Sequence, residues 1–294
     1  QFDLRNYFGE PVYRSGKHLQ QLVSLFDEEV KAFFPDEDFA ISFTGGFDGR
    51  TLVAAARKAK RRVLTYSFGK VDALDIVIPY RQSQKLGVPY LPINLGKTYV
   101  DREALESALA FMRLTEYNGN LGRPHYNYAA RFLSERISFI LTGNFGSELF
   151  RALHQPGVMM TPALINIFSV ENSSWKDNLR QTVQSWDSNY FDQTLDALIV
   201  DLENYLRQLE GLKPNQKFYY FVFNELFRKY FGPEIIMQSH YLANRTPYLN
   251  LSFFKALNQT IWSGLHADLF EKNRYKRMNG QKFYARYIQN ADPE

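Results

Sequence analysis

The sequence contains no cysteine in 294 residues. That excludes disulfides, thiolate nucleophiles and Cys-ligated zinc or iron–sulfur centres, and it agrees best with a reducing setting, so a cytoplasmic location is expected. No apolar run approaches the roughly 18 residues that span a bilayer, and no signal-peptide pattern follows Gln1, so no membrane association is expected. Charge of one sign is scarce as well. Lys and Arg number 35 against 31 Asp and Glu, and the small excess is dispersed, so a nucleic-acid partner is not expected. The five histidines (His18, His125, His154, His240 and His266) show no metal-ligand spacing and read as surface or satisfied core residues. Aromatic residues, in contrast, are abundant. The 25 Phe and 19 Tyr are densest in the C-terminal third and read as core before they read as a base-stacking surface.

Hydrophobic periodicity predicts a helix over 17–34, ended by Pro35, and a short buried strand over 39–43. Helices are then predicted over 50–60, 72–86 (closing on Gly87), 101–116 and 126–136. Strands are predicted over 63–68, 90–94 and 137–141. This alternation defines an α/β fold: a twisted parallel sheet of Rossmann-like type with helices on both faces, and ligands expected beyond the carboxyl ends of the strands. After residue 160 the alternation fades into amphipathic helices, with a turn over 208–214. The expected division is therefore an α/β core over 1–160 and a mainly helical part over 161–294.

Two glycine-bearing loops, T-G-G-F-D-G at Thr44–Gly49 and T-G-N-F-G-S at Thr142–Ser147, fall at strand ends. A loop that feeds a helix offers unpaired N–H groups and the positive end of the helix dipole, and glycines let an anion approach closely. Asp48 suits a Mg²⁺ that neutralises a phosphate, and Arg50 is a cation in the first turn where the dipole disfavours one. The competing reading is a tight βα turn that needs glycine for geometry alone. The segment L-P-I-N-L-G-K-T at Leu91–Thr98 lacks the first glycine of a Walker A loop, and T-G-G-F-D-G does not fit G-x-G-x-x-G.

Several segments, in order, carry a family resemblance. Phe43–Gly49 resembles the S-G-G-x-D-S pyrophosphate loop of the N-type ATP pyrophosphatases, and most of all that of the asparagine-synthetase-like synthetase domains, which include β-lactam synthetases and lasso-peptide cyclases. Leu64–Phe68 resembles the family's second strand, Asp75 with Leu86-Gly87 its D…LG helix, Leu141–Phe150 its L-S-G-D-G-G-D-E-L-F loop, and Asn244–Asn250 its R-x-P-F-L-D segment. The resemblance covers roughly residues 17–255.

What the resemblance implies is an amide-forming ligase that uses ATP and Mg²⁺. A small-molecule or peptide carboxylate would attack the α-phosphate to give an acyl-adenylate and pyrophosphate, and a nitrogen nucleophile would then displace AMP. ATP would be held by Ser42, Thr44, Gly45, Gly46, Phe47, Asp48, Gly49, Ser67, Phe68 and Gly143. Mg²⁺ would lie between Asp48 and Glu148, and Arg50 and Asn144 would act on the reacting groups. In ungapped register Ser147, not Glu148, meets the family's metal-binding Asp, and a one-residue slip brings in Glu148. Gly49 stands in place of a phosphate-contacting serine, a loss that Arg50 and Thr51 could offset. In many relatives ammonia comes from an N-terminal glutaminase domain with a Cys nucleophile. No room for one precedes residue 17, so the expectation is a domain that is absent, cut away or on another chain, or an amine nucleophile. The family's C-terminal lysine has no clear match, and the basic run Glu271–Lys282 reads as a solvated face. His125 and Arg123, in G-R-P-H-Y, are further candidates for lining the site. A catalytically lapsed homologue that binds nucleotide or a partner protein is the alternative, and a tRNA-modifying relative is disfavoured by the absent cysteines and the modest charge.

Overall fold

The computed structural model describes residues 3–150, 162–169, 174–185, 192–267 and 271–292. Its centre is a five-stranded, all-parallel sheet in the order β3-β2-β1-β4-β5. The strands are β1 (Phe39–Ser42), β2 (Val63–Gly69), β3 (Tyr90–Asn94), β4 (Phe139–Leu141) and β5 (Ala243–Arg245). Helices α1 (Gly16–Lys31) and α2 (Phe47–Lys58) flank β1, and α3 (Leu74–Leu86) joins β2 to β3. Between β3 and β4 run α4 (Lys97–Arg102), α5 (Ala104–Leu114) and α6 (His125–Ser134). Beyond β4 come α7 (Gly146–Phe150), α8 (Pro162–Ser169), α9 (Ser174–Gln184), α10 (Asp192–Gln208), α11 (Pro214–Phe221) and α12 (Phe227–Tyr241). After β5 follow α13 (Leu251–Leu257), α14 (Arg274–Arg277) and α15 (Gln281–Ala291).

Alternation along the strands sends side chains into two separate cores. Phe39 and Ile41 of β1, with Val63 and Leu141, join the α1, α2, α13 and α15 side through Leu22, Phe26, Leu52, Phe253 and Phe283. Ala40, Tyr66, Ile93 and Ile140 point the other way, to Phe111 of α5, Ala129 and Leu133 of α6 and Met237 of α12. The sheet is thus covered on both faces, as its continuous apolar runs require.

Sequence and structure differ at identifiable places. Helix α1 begins on the Ser15 cap, whose side chain accepts from His18 N–H, and ends at Lys31, before Phe33 and Phe34 fold inward and well short of Pro35. The single helix expected over 101–116 is two, meeting at Glu103. Helix α2 starts at Phe47, three residues early, with Gly46 as its cap, so Asp48 and Arg50 lie in its first turn. Gly87 closes α3 in the left-handed region (φ 64°), and Gly211 does the same in the 208–214 turn (φ 84°). Strand β5 was not expected: it pairs with β4 in the register Phe139↔Ala243, Ile140↔Asn244 and Leu141↔Arg245, so residues after 160 complete the sheet. The expected 160/161 boundary, His154 and residues 186–191 of the predicted helical stretch lie outside the described residues. Among the described residues no helix is long and apolar enough to cross a membrane.

Candidate active site

Strand order fixes where a ligand can enter. From β1 the chain moves outward through β2 and β3, then returns to the other side of β1 for β4 and β5. The switch point lies between β1 and β4, where successive connections diverge and leave a crevice beyond the strand ends. The loop after β1 is the first glycine loop and the loop after β4 is the second, so both border this crevice.

Glycine is needed there for contact as much as for conformation. A Cβ on Gly49 would lie 2.5 Å from the Ser42 carbonyl oxygen, so α2 can start so close to β1 only without a side chain. Gly45 has φ 78°, and a Cβ on it would strike Ile78 at 2.6 Å. In the second loop, a Cβ on Gly143 would meet Asp48 Cβ at 2.7 Å, and one on Gly146 would meet Asp48 Oδ1 at 2.7 Å. The second loop is therefore moulded around Asp48.

Asp48 is also held by hydrogen bonds from distant segments. Ser147 Oγ donates to its Oδ2 at 2.6 Å, and the Tyr284 hydroxyl of α15 donates to Oδ1. Tyr248 OH donates to its backbone carbonyl at 3.0 Å. Tyr248 belongs to the R-T-P-Y-L-N segment, whose Arg245 carbonyl accepts from Thr142 N–H at 3.1 Å and whose Arg245 Nη1 donates to Phe33 O at 3.0 Å. Three of the segments that carry the family resemblance, far apart in sequence, thus meet on one residue, Asp48: Ser147 at its carboxylate and Tyr248 at its backbone carbonyl. Tyr248 and Tyr284 are fully buried, and burial together with Asp48 pushes both phenols well above their ordinary pKa, so they remain donors at neutral pH.

The other expected site residues are distributed unevenly. Thr44, Gly46 and Phe47 are exposed, Phe47 at 37 %, and its ring stacks on Tyr284 with centroids 5.8 Å apart. Arg50 folds back on its own loop: its guanidinium lies 4.4 Å over the Phe47 ring and Nε donates to Gly46 O at 3.2 Å. Burial works against its charge while Asp48 supports it. Ser67 is buried, with its hydroxyl bonded to Tyr90 OH at 2.6 Å and to the Asp75 carbonyl, so it is spent inside the fold. Phe68, one residue on, meets the edges of His125 (5.1 Å) and Tyr126 (4.9 Å). Ser42 closes β1 under Gly49 and touches the buried Tyr66 hydroxyl. Thr51, offered as a substitute for the lost serine, is fully buried. Asn144 Nδ2 is buried without a hydrogen-bond partner. Glu148 lies in the first turn of α7, and its charge acts on both Tyr219 and Tyr284, the latter also bonded to Asp48.

Whether these residues suit Mg²⁺ can be judged from the donor set. No cluster of three or more His, Cys, Asp or Glu occurs among the described residues, so a cage built from protein alone is absent there. Mg²⁺ is held through one or two carboxylates when substrate phosphates and water supply the rest, and ligating carboxylates are commonly steadied by hydrogen bonds from behind. Asp48, braced by Ser147 and Tyr284, with Glu148 nearby, fits that pattern.

No family model matches the chain, and no curated protein matches it. Among solved structures it is similar to an NMN synthetase from Francisella tularensis, at 17% identity and TM-score 0.29, over 48% of this chain and 54% of that one. The match therefore spans about half the length of that enzyme. It is also similar to an NH3-dependent NAD synthetase from Campylobacter jejuni in complex with the nitrate ion, at 17% identity and TM-score 0.32, over 72% and 94% of the two chains. At such TM-scores neither likeness carries functional weight.

Proposed function

We propose that the protein is an ATP-dependent, amide-forming ligase of the asparagine-synthase type. The reading is carried by one observation: the first glycine loop, the second glycine loop and the R-T-P-Y-L-N segment converge on Asp48 at the sheet's switch point. In this reading the N–H groups of 44–49 and the α2 terminus cradle the phosphates of ATP. Asp48 and Glu148 would hold a Mg²⁺ that neutralises charge on the phosphates as pyrophosphate leaves. Ser147 and Tyr284 keep the Asp48 carboxylate aimed, and Asn144 offers a dry N–H to a ligand oxygen. The acceptor is a small or peptide carboxylate, and the nucleophile is ammonia or an amine.

A second reading, a lapsed homologue that still binds nucleotide, is favoured by Arg50, which turns away onto Phe47 and Gly46. ATP–Mg²⁺ titration with a pyrophosphate-release assay separates the two. A working ligase releases pyrophosphate with some carboxylate, and Asp48→Ala lowers both turnover and ATP affinity, by about tenfold or more for affinity. Pyrophosphate absent with every carboxylate, together with ATP affinity untouched by Asp48→Ala, would sink the ligase reading, and no binding of ATP at all would sink both.

A further inference from the structure

On the sheet face away from α2, the loop before α6 carries Arg123 with its guanidinium between two rings, 4.9 Å from the Tyr126 centroid and 4.3 Å from that of Tyr230. Its Nε donates to Glu234 Oε1 on α12. Glu234 is fully buried, and its other oxygen, Oε2, has no hydrogen-bond partner. As a structural tie this pair is poorly built. A buried carboxylate is costly unless fully bonded, and the strong arginine–carboxylate geometry uses two parallel N–H groups. Here one N–H is used. The Nη amines make no hydrogen bond among the described residues, and the Arg123 side chain is 20% exposed.

The pair also lies beside the crevice. His125 and Tyr126 pack on Phe68 at the end of β2, and Tyr230 touches Phe231 (5.1 Å), which touches Phe145 of the second loop (5.1 Å). The rings hold the guanidinium plane in place before any ligand arrives, which lowers the ordering cost of binding.

We propose that Arg123 and Glu234 form a carboxylate-binding site, in which the Nη edge of Arg123 takes a ligand carboxylate between the Tyr126 and Tyr230 rings. Glu234 serves it as a proton acceptor. Burial raises its carboxyl to about 7 despite the pull of Arg123, so a proton taken up there frees the Arg123 charge for the ligand. The other groups in the cluster do not compete. His125 is driven down to about 4 by burial and by Arg123, and stays neutral, while Tyr126 is pushed well up by burial and by Glu234. Ligand affinity therefore falls as pH rises through about 7, where Glu234 loses its proton. The site does not depend on whether the neighbouring loops turn ATP over.

Calorimetric titration of the full chain with succinate, with its uncharged isostere succinamide and with ATP–Mg²⁺ tests this. Succinate is expected to bind about tenfold or more tightly than succinamide at pH 6. Arg123→Lys, which keeps the charge, and Arg123→Met are each expected to weaken succinate about tenfold or more and to leave ATP affinity unchanged. Glu234→Gln should keep binding and abolish its pH dependence, which a purely structural tie would not produce. The proposal is overturned if wild-type protein binds no succinate up to about 10 mM. Equal binding of succinate and succinamide, or wild-type succinate affinity in both Arg123 variants, overturns it too. A loss confined to ATP also overturns it, since Arg123 would then read a nucleotide phosphate. Succinate binding that persists while ATP binding and pyrophosphate release are absent upholds this site and rejects the ligase reading alone.

Discussion

The two glycine loops occupy equivalent places, at the ends of adjacent strands β1 and β4, yet they are built in opposite ways. The first keeps Thr44, Gly46 and Phe47 in solvent and puts a true glycine, Gly45, in the left-handed region. The second is largely buried, and at its sharpest point it puts Phe145 at φ 67°. A bulky residue there is strained, and the family loop it resembles has glycine at that position. Phe145 is held by the rings of Phe223, Phe227 and Phe231, with centroids 6.2, 5.4 and 5.1 Å away. The difference teaches a division of labour. The first loop is the open one, and the second packs closely around Asp48.

The harshest way to break this arrangement is Phe145→Ala. It removes the ring anchor and keeps an unfavourable φ, and it is expected to cost about 3–5 kcal/mol in chemical denaturation, with the second loop loosened. If stability drops by less than about 1 kcal/mol, the second loop is not held by its aromatic packing. Next comes Gly49→Ser, which restores the residue the family loop carries. Its Cβ would sit 2.5 Å from the Ser42 carbonyl, so a loss of about 1–3 kcal/mol and weaker ATP binding are expected. An unchanged melting curve with tighter ATP binding would instead favour the missing hydroxyl over close packing as the reason for glycine. The mildest is Tyr284→Phe, which removes one donor from the Asp48 carboxylate and should cost about 1–2 kcal/mol. Combined with Ser147→Ala, its effect on Mg²⁺-dependent ATP affinity should exceed the sum of the single changes, because both hold the same carboxylate; strict additivity counts against a shared role.

Much of the fold can be read from the chain because β1 to β4 are apolar runs set between glycine-marked turns, and both loops declare themselves by composition. Strand β5 escapes such reading. Ala243-Asn244-Arg245 is short and polar, and it becomes a strand through its pairing with β4, a tertiary effect with no local signal. The start of α2 is hidden likewise, since glycines mask a helix that Gly46 caps without any side-chain bond. In the site, Asp48 stands out by type and position, whereas Tyr248 and Tyr284 do not. They sit in aromatic-rich stretches 200 and 236 residues away, where a phenol that bonds Asp48 looks like one more core ring. Glu234 is concealed on an aromatic helix, and only its burial against Arg123 marks it.

Contacts of that span have a bearing on how the chain is made. Asp48 is synthesised early, but its partners emerge at 147, 248 and 284. Strand β4 likewise waits about a hundred residues for β5, and until then it is an unpaired edge that can recruit other chains. High contact order of this kind slows folding and lengthens exposure to aggregation. A nascent chain released before Tyr284 would hold both glycine loops and all five strands of the sheet, and would still lack one of the hydroxyls that aim Asp48.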